Sequence, residues 1–209
     1  MYFLLLIFLS LHQASASLKC SQEVCLPANY SKLELPSETN NLVGVSFDID
    51  EVLKIEDSSN SITFSIFLNV EWNENRLIFS PKFGKGHNGL VPISFDYVKD
   101  LWLPNIFIYN LRSFEVMEVF RRLSGLWIDS DKNVLYSQAA TVSFYCPFDF
   151  KNFPLDTHNC VFKLGSYSYN DKIMPFTTKK FGMKAAKNSG SFSLTSDIGE
   201  MKYLPLNLI

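Results

Sequence analysis

After its first dozen residues this 209-residue chain has no apolar run able to cross a bilayer as a helix, a task that takes about 20 consecutive apolar residues. Asn133–Phe148 carries no charge but is short and interrupted by Ser, Gln, Asn and Thr; Leu101–Leu111 is shorter still and holds Pro104. Nothing past the start of the chain could therefore line a pore. Charge of one sign is also lacking. Nineteen Lys and Arg face 21 Asp and Glu, a net charge of −2, which leaves no basic footprint for nucleic acid. Histidine is scarce. His12 lies in the apolar start, and His87 and His158 are far apart with no metal-ligand spacing around either, so no metal is expected. Neither a Gly-x-Ser-x-Gly elbow nor a His-Glu-x-x-His pair occurs, and the scattered acids define no glycosidase pair. Gly84-Lys-Gly-His-Asn-Gly89 matches the dinucleotide glycine spacing, but that fingerprint needs a strand before it and a helix after it, and Pro81 and Pro92 flank it here. It reads as a loop. No enzyme activity and no cofactor are expected. The chain also lacks repeats, low-complexity tracts and, past residue 40, any long amphipathic helix.

What is present is aromatic. Nineteen Phe and nine Tyr contribute to an aromatic content of 15%, a composition suited to strands. The length allows one or two domains with a sizeable core. Residues 1–16 read as a secretory signal: Tyr2–Leu11 has the length of an apolar h-region and Ala14-Ser15-Ala16 fits a cleavage site. The run is short for the alternative, a membrane anchor. Secretion gives the four cysteines meaning as disulfides. Three connectivities are open; Cys20 with Cys25 and Cys146 with Cys160 is the local pairing. Asn29-Tyr30-Ser31 is a glycosylation sequon.

Residues 17–41 form a polar lead-in and 42–209 an all-β domain. Ile62, Phe64, Ile66, Leu68, Val70 and Trp72 alternate with Thr63, Ser65, Phe67, Asn69 and Glu71, the period of two of a half-buried strand. Asn133–Cys146 reads as a second long strand, and Val116–Arg122 and Val161–Leu164 as shorter ones. Asp57–Asn60 and Asp129–Asn133 are turn clusters. Several strands at short spacing indicate a β-sandwich. Residues 176–192, rich in Lys, Gly, Ser and Ala, read as a surface loop. Met201–Ile209 stops on an apolar run, so a truncated sandwich is expected.

Cys146-Pro-Phe-Asp-Phe-Lys-Asn-Phe-Pro-Leu-Asp-Thr-His-Asn-Cys160 closely resembles the eponymous loop of the Cys-loop receptors, the pentameric ligand-gated ion channels. Four further segments resemble that family in the same order: Trp72-Asn-Glu-Asn-Arg76-Leu77, with Glu74 where Asp is usual; Leu101-Trp102-Leu103-Pro104-Asn105, with Asn105 in place of Asp; Asn133-Val134-Leu135-Tyr136-Ser137; and Gly165-Ser166-Tyr167-Ser168-Tyr169. The resemblance covers roughly residues 42–205. It implies the immunoglobulin-like β-sandwich of the neurotransmitter-gated channel ligand-binding domain, ending before the third ligand loop of the principal face and the membrane domain.

The resemblance places the ligand between neighbouring subunits, in a box of aromatic rings that attract a cation by about 0.5–2 kcal/mol each. It points to Phe107, Tyr109, Ser166 and Tyr167 on the principal face. For Phe107 and Tyr109, plain core packing is the alternative. On the complementary face it points to Phe67 and Asn69, with Trp127, Leu135, Ser137 and Ala139 on neighbouring strands. Phe67 is also singled out by its own strand, as a ring on the polar face. Ala139 stands where the glycine and GABA branch often has Arg, and Gly165 where it often has Glu, so a simple amino acid is not the expected agonist; a compact amine, a proton or a metal acting on the site is left open. Asp57, Asp149, Phe153 and Pro154 are implied to press on the membrane domain, with solvated acids as the alternative for the first two, and Arg76 to support the inner sheet.

The filling of the disulfide loop is more like the chloride-conducting branch, of which an invertebrate subunit is the favoured member; Lys163-Leu164-Gly165-Ser166 leans toward a cation-selective nicotinic-like subunit. The expected partners are a small neurotransmitter-like agonist, four like or unlike subunits, and a plasma membrane reached through a domain outside this sequence. A secreted soluble ligand-binding protein of the same fold is the competing reading.

Overall fold

The computed structural model describes residues 18–21, 23–84, 89–151, 158–177, 192–194 and 203–208. In chain order its strands are β1 (Lys19–Ser21), β2 (Val24–Leu26), β3 (Val43–Glu56), β4 (Ser61–Asn73), β5 (Ile78–Phe79), β6 (Val91–Ile93), β7 (Ile106–Ile108), β8 (Leu111–Val116), β9 (Ser124–Ile128), β10 (Asn133–Tyr145), β11 (His158–Ser166), β12 (Phe176–Thr177), β13 (Phe192–Leu194) and β14 (Tyr203–Leu208). A 3₁₀ helix, Phe95–Lys99, is the one helical element among the described residues, and none there is long and apolar enough to cross a membrane.

Alternation on β4 sets the main sheet. Ile62, Phe64, Ile66, Val70 and Trp72 are buried, while Phe67 and Asn73 on the other face are exposed. β3 repeats the pattern with Val43, Val45, Phe47 and Ile49 inward. β10 supplies Val134, Ala140, Val142 and Phe144. A strand with one buried face has its register fixed, because a slip of one residue would turn every apolar side chain to water. The sheet runs β12-β3-β4-β10-β9-β6, and β8 pairs β10 alongside β9. A second sheet, β13-β14-β11-β7, forms the other layer of the sandwich. The core between the layers contains edge-to-face Phe47 and Phe144 at 6.3 Å and Trp72 against Trp102 at 6.4 Å.

Several expectations shift. The proposed strand Val116–Arg122 is instead the end of β8 followed by a protruding arm, held by the Glu118–Arg122 bridge and ion pair; its tip, Val119-Phe120, has no layer to pack on and is exposed. The strand at Val161–Leu164 extends to His158–Ser166, with β14 on one side and β7 on the other. Gly84 and Gly89 have φ of 71° and 105°, values costly for other residues, and a strand rather than a helix follows them. Most of 176–192 lies outside the described residues, but Phe176-Thr177 is a strand, parallel to β3. The signal at 1–16 also lies outside them.

The lead-in is tied down rather than loose. Cys20 and Cys25 face each other across the β1–β2 hairpin and are bonded, and β2 pairs β5. Glu74 is fully buried; Arg76 Nε and Nη2 each donate to its carboxylate at 2.7 Å, and Tyr30 Oη donates at 2.9 Å. Arg76 Nη1 donates to the carbonyls of Ser31 and Glu34, and Trp102 N–H donates to Tyr30 Oη at 2.8 Å. Arg76 thus clamps the lead-in onto the domain instead of bracing the inner sheet.

Candidate functional site

Two aromatic surfaces and one loop contact hold the residues singled out in the sequence. The first surface lies on β7 and β11, which are paired Leu164–Ile108, Gly165–Phe107 and Ser166–Ile106. Phe107 and Tyr109 meet edge-to-face at 4.9 Å, and Phe107 and Tyr167 are 5.9 Å apart. They are surface groups, not core: Phe107 is 41%, Tyr109 62% and Tyr167 78% exposed. Gly165 makes this possible. A Cβ there would come within 3.0 Å of the Tyr109 ring, so a side chain at 165 would push that ring off β11. Asn105 fixes Tyr167: its Oδ1 accepts from Tyr167 N–H at 3.3 Å and its Nδ2 donates to Ser168 Oγ at 3.0 Å. Ser166 Oγ accepts from the N–H groups of Ser168 and Tyr169, so this hydroxyl shapes the turn beneath Tyr167.

The second surface is the outward face of the main sheet. Phe67 on β4 lies between Asp48 of β3 and Ala139 of β10, and Asn69 between Ser46 and Ser137. Asn69 Nδ2 donates to Asp48 Oδ2 at 2.9 Å and to Ser46 Oγ at 3.4 Å. Leu135 pairs Trp127, and Ser137 pairs Gly125. The Trp127 ring leans across Gly125, where any Cβ would collide with it. Phe67 is 44% exposed; Trp127, Leu135 and Ser137 are half-buried. Ala139 pairs Phe67 and so turns its methyl to this face, but it is buried there, and its N–H and C=O are bonded to Leu123 and Met117. Sequence reading missed Asp48 and Ser46. Their signal was the inward run Val43, Val45, Phe47, Ile49, which turns 46 and 48 to the face that Phe67 and Asn69 share.

The third feature joins the Asp57–Asn60 turn to the loop that Cys146–Cys160 closes. Asp57 caps its own turn through Ser58 N–H and Asn60 N–H. Asn60, at φ 50°, accepts from Cys146 N–H through its carbonyl at 2.8 Å and from Phe148 N–H through Oδ1 at 3.1 Å. Beyond it, Phe148 and Phe150 flank the His158 ring at 5.0 and 5.2 Å, and Asp149 N–H donates to His158 Nδ1. Lys151 donates to Asp149, first through Nζ at 2.8 Å, and holds that exposed carboxyl below its usual range. Phe153 and Pro154 lie outside the described residues. Asn29 is exposed, as a sequon requires. No group of three or more metal-ligating side chains occurs among the described residues.

A family model described as the neurotransmitter-gated ion-channel ligand binding domain matches residues 24–204. The chain belongs to that family. Its members are ligand-gated channels and not enzymes. Among curated relatives, the gamma-aminobutyric acid receptor subunit rho-3 of Homo sapiens is 32% identical over 157 residues, covering 73% of this chain and 32% of the relative. The rho-2 subunit of Homo sapiens is 31% identical over 156 residues and the rho-1 subunit of Mus musculus 29% over 154, each with 73% of this chain covered. The chain thus spans about a third of the length of these relatives.

Proposed function

We propose that this chain is the extracellular ligand-binding part of a subunit of a pentameric, chloride-conducting neurotransmitter-gated channel at the plasma membrane, with the agonist held between neighbouring subunits. The observation that carries this is the split of the aromatic groups. Phe107, Tyr109 and Tyr167 cluster on the second sheet, Phe67 and Trp127 on the outward face of the main sheet. Each cluster is half a box, and a second copy facing the first would close it. Ser166 and Asn105 position the one half, Asn69, Leu135 and Ser137 the other. Similarity to gamma-aminobutyric acid receptor subunits supports the chloride reading.

The charge of the outward face narrows the ligand. At positions 46, 48, 67, 69, 71, 125, 127, 135, 137 and 139 there are two acids, Asp48 and Glu71, and no Lys or Arg. Such a face attracts a cationic amine and has nothing to grip a carboxylate. Binding would shift the closed-to-open equilibrium by its differential affinity for the two states, passed to the membrane domain through Asp57, Asp149, Phe153 and Pro154. In the full-length receptor, Phe67→Ala and Tyr167→Ala should each raise the half-maximal concentration of an amine agonist by roughly 2- to 30-fold, the scale of one ring–cation contact, with surface expression retained. Unchanged dose–response curves would refute the box. A reversal potential that ignores external chloride would refute the selectivity.

A further inference from the structure

A cleft lies beside the 3₁₀ helix, bordered by β6 and β9. β6 and β9 stay paired as far as Ile93 and Leu126. The chain then leaves β6 into the helix at Phe95, while β9 begins at Ser124 where the 117–123 arm ends. Their divergence opens a cleft of about 630 Å³, within the range of small-molecule sites, about 300–1,000 Å³. Its walls are apolar and partly flat: Pro92, Phe95, Leu126 and the Trp127 ring, which can lie over the strand because residue 125 has no Cβ.

Its polar groups are mostly cationic. Lys99 Nζ is occupied by Asp96 at 2.7 Å and Arg122 Nε by Glu118 at 3.0 Å. Arg121 also lines the cleft, and its guanidinium has no ion pair or hydrogen bond among the described residues. Ser124 Oγ, on the cleft wall, is buried without a hydrogen-bond partner among them. A buried hydroxyl left unpaired is destabilising and gains from a ligand that pairs it. A flat apolar wall, an unpaired guanidinium fork and an unsatisfied hydroxyl together match an apolar body bearing a carboxylate.

We propose that this cleft is a second binding site, sharing the Trp127 ring with the aromatic box and otherwise built from different residues, that takes a small organic anion: Arg121 and Ser124 hold the carboxylate and Trp127 and Phe95 the apolar body. The site contains the opposite charge from the outward face of the sheet, and its ligand needs no amine.

The test is titration of the full chain with benzoate and with its neutral counterpart benzamide, followed by the indole N–H resonance of Trp127 and by calorimetry. Benzoate should bind about tenfold more tightly than benzamide, the scale of one charge-assisted hydrogen bond. Arg121→Gln should remove that difference and leave benzamide unchanged; Ser124→Ala should weaken benzoate by a smaller factor. Phe67→Ala, in the proposed box, should leave benzoate binding as it is, which separates failure of this site from failure of the agonist reading. Equal binding of the two compounds, full benzoate affinity in Arg121→Gln, or a Trp127 indole resonance that benzoate leaves unmoved would each overturn the proposal.

Discussion

Removing one partner of the Glu74–Arg76 pair should destabilise the domain more than removing both. Glu74 has no exposed side-chain surface and Arg76 only 20%. The carboxylate receives two guanidinium N–H groups at 2.7 Å and the Tyr30 hydroxyl at 2.9 Å, and the Arg76 plane also lies 4.3 Å from the Tyr30 ring centroid. Arg76→Ala would leave a buried anion with two neutral donors, the Tyr30 hydroxyl and a long bond from the backbone N–H of residue 76 at 3.4 Å. Glu74→Leu would leave a largely buried cation facing an alkyl group and would orphan the Tyr30 hydroxyl, whose oxygen also holds Trp102 N–H. Breaking a buried pair by deleting one member costs about 3–5 kcal/mol, whereas replacing both with apolar groups of similar size is often close to neutral. For a domain of this size each kcal/mol lowers the melting temperature by about 2–4 °C, so either single variant should fall by roughly 6–20 °C. Glu74→Leu with Arg76→Met should recover most of that loss. The check is a double-mutant cycle by thermal and urea unfolding. Single variants within about 1 kcal/mol of the parent, or a double variant whose loss equals the sum of the two, would show that the clamp does not hold the lead-in.

The Asn60 latch should be separable into strain and bond: Asn60→Ala, which loses the acceptor for Phe148 N–H and puts a residue less tolerant of positive φ than Asn at φ 50°, should cost about 1–2 kcal/mol in urea unfolding, and Asn60→Gly, which has no Cβ to strain, less than Ala. In the full-length receptor both should lower the maximal current without changing agonist affinity; an unchanged maximum would remove this contact from the coupling route. Alkaline stability should follow the buried phenols. Burial pushes the Tyr30, Tyr97 and Tyr136 hydroxyls up from their ordinary value of 10.0, with Glu74 also raising Tyr30 and Asp100 raising Tyr97. A raised value in the folded state means that the folded protein keeps protons the unfolded chain has lost, so their contribution is full below about pH 10 and falls as pH rises above it. Tyr97→Phe should flatten the fall in melting temperature between pH 10 and 12; an identical slope would show that Tyr97 does not contribute to it.

Much of this was written in the residues themselves. Alternation along 62–72 determined which side of β4 faces the core, because the side-chain period of a strand is two and only one register buries every apolar group. The same alternation exposed Phe67 as a ring on the wrong side for packing. The filling between Cys146 and Cys160 and four short motifs in order were enough for the family, because they depend on chain order and not on shape. Tertiary structure decided what depends on register between distant strands and on how rings settle. Asp48 came to lie beside Phe67 only because β3 pairs with β4 nineteen positions away. Tyr109 joined Phe107 and Tyr167 because Gly165 leaves room beneath it. Arg76 turned to the lead-in, not the inner sheet, because Glu74 and the carbonyls of Ser31 and Glu34 lie within its reach. The cleft at Arg121 exists because β6 and β9 part after one short ladder. Local pattern fixes which face of an element seeks the core; which neighbours that face finds is a property of the packed whole, where distant segments meet.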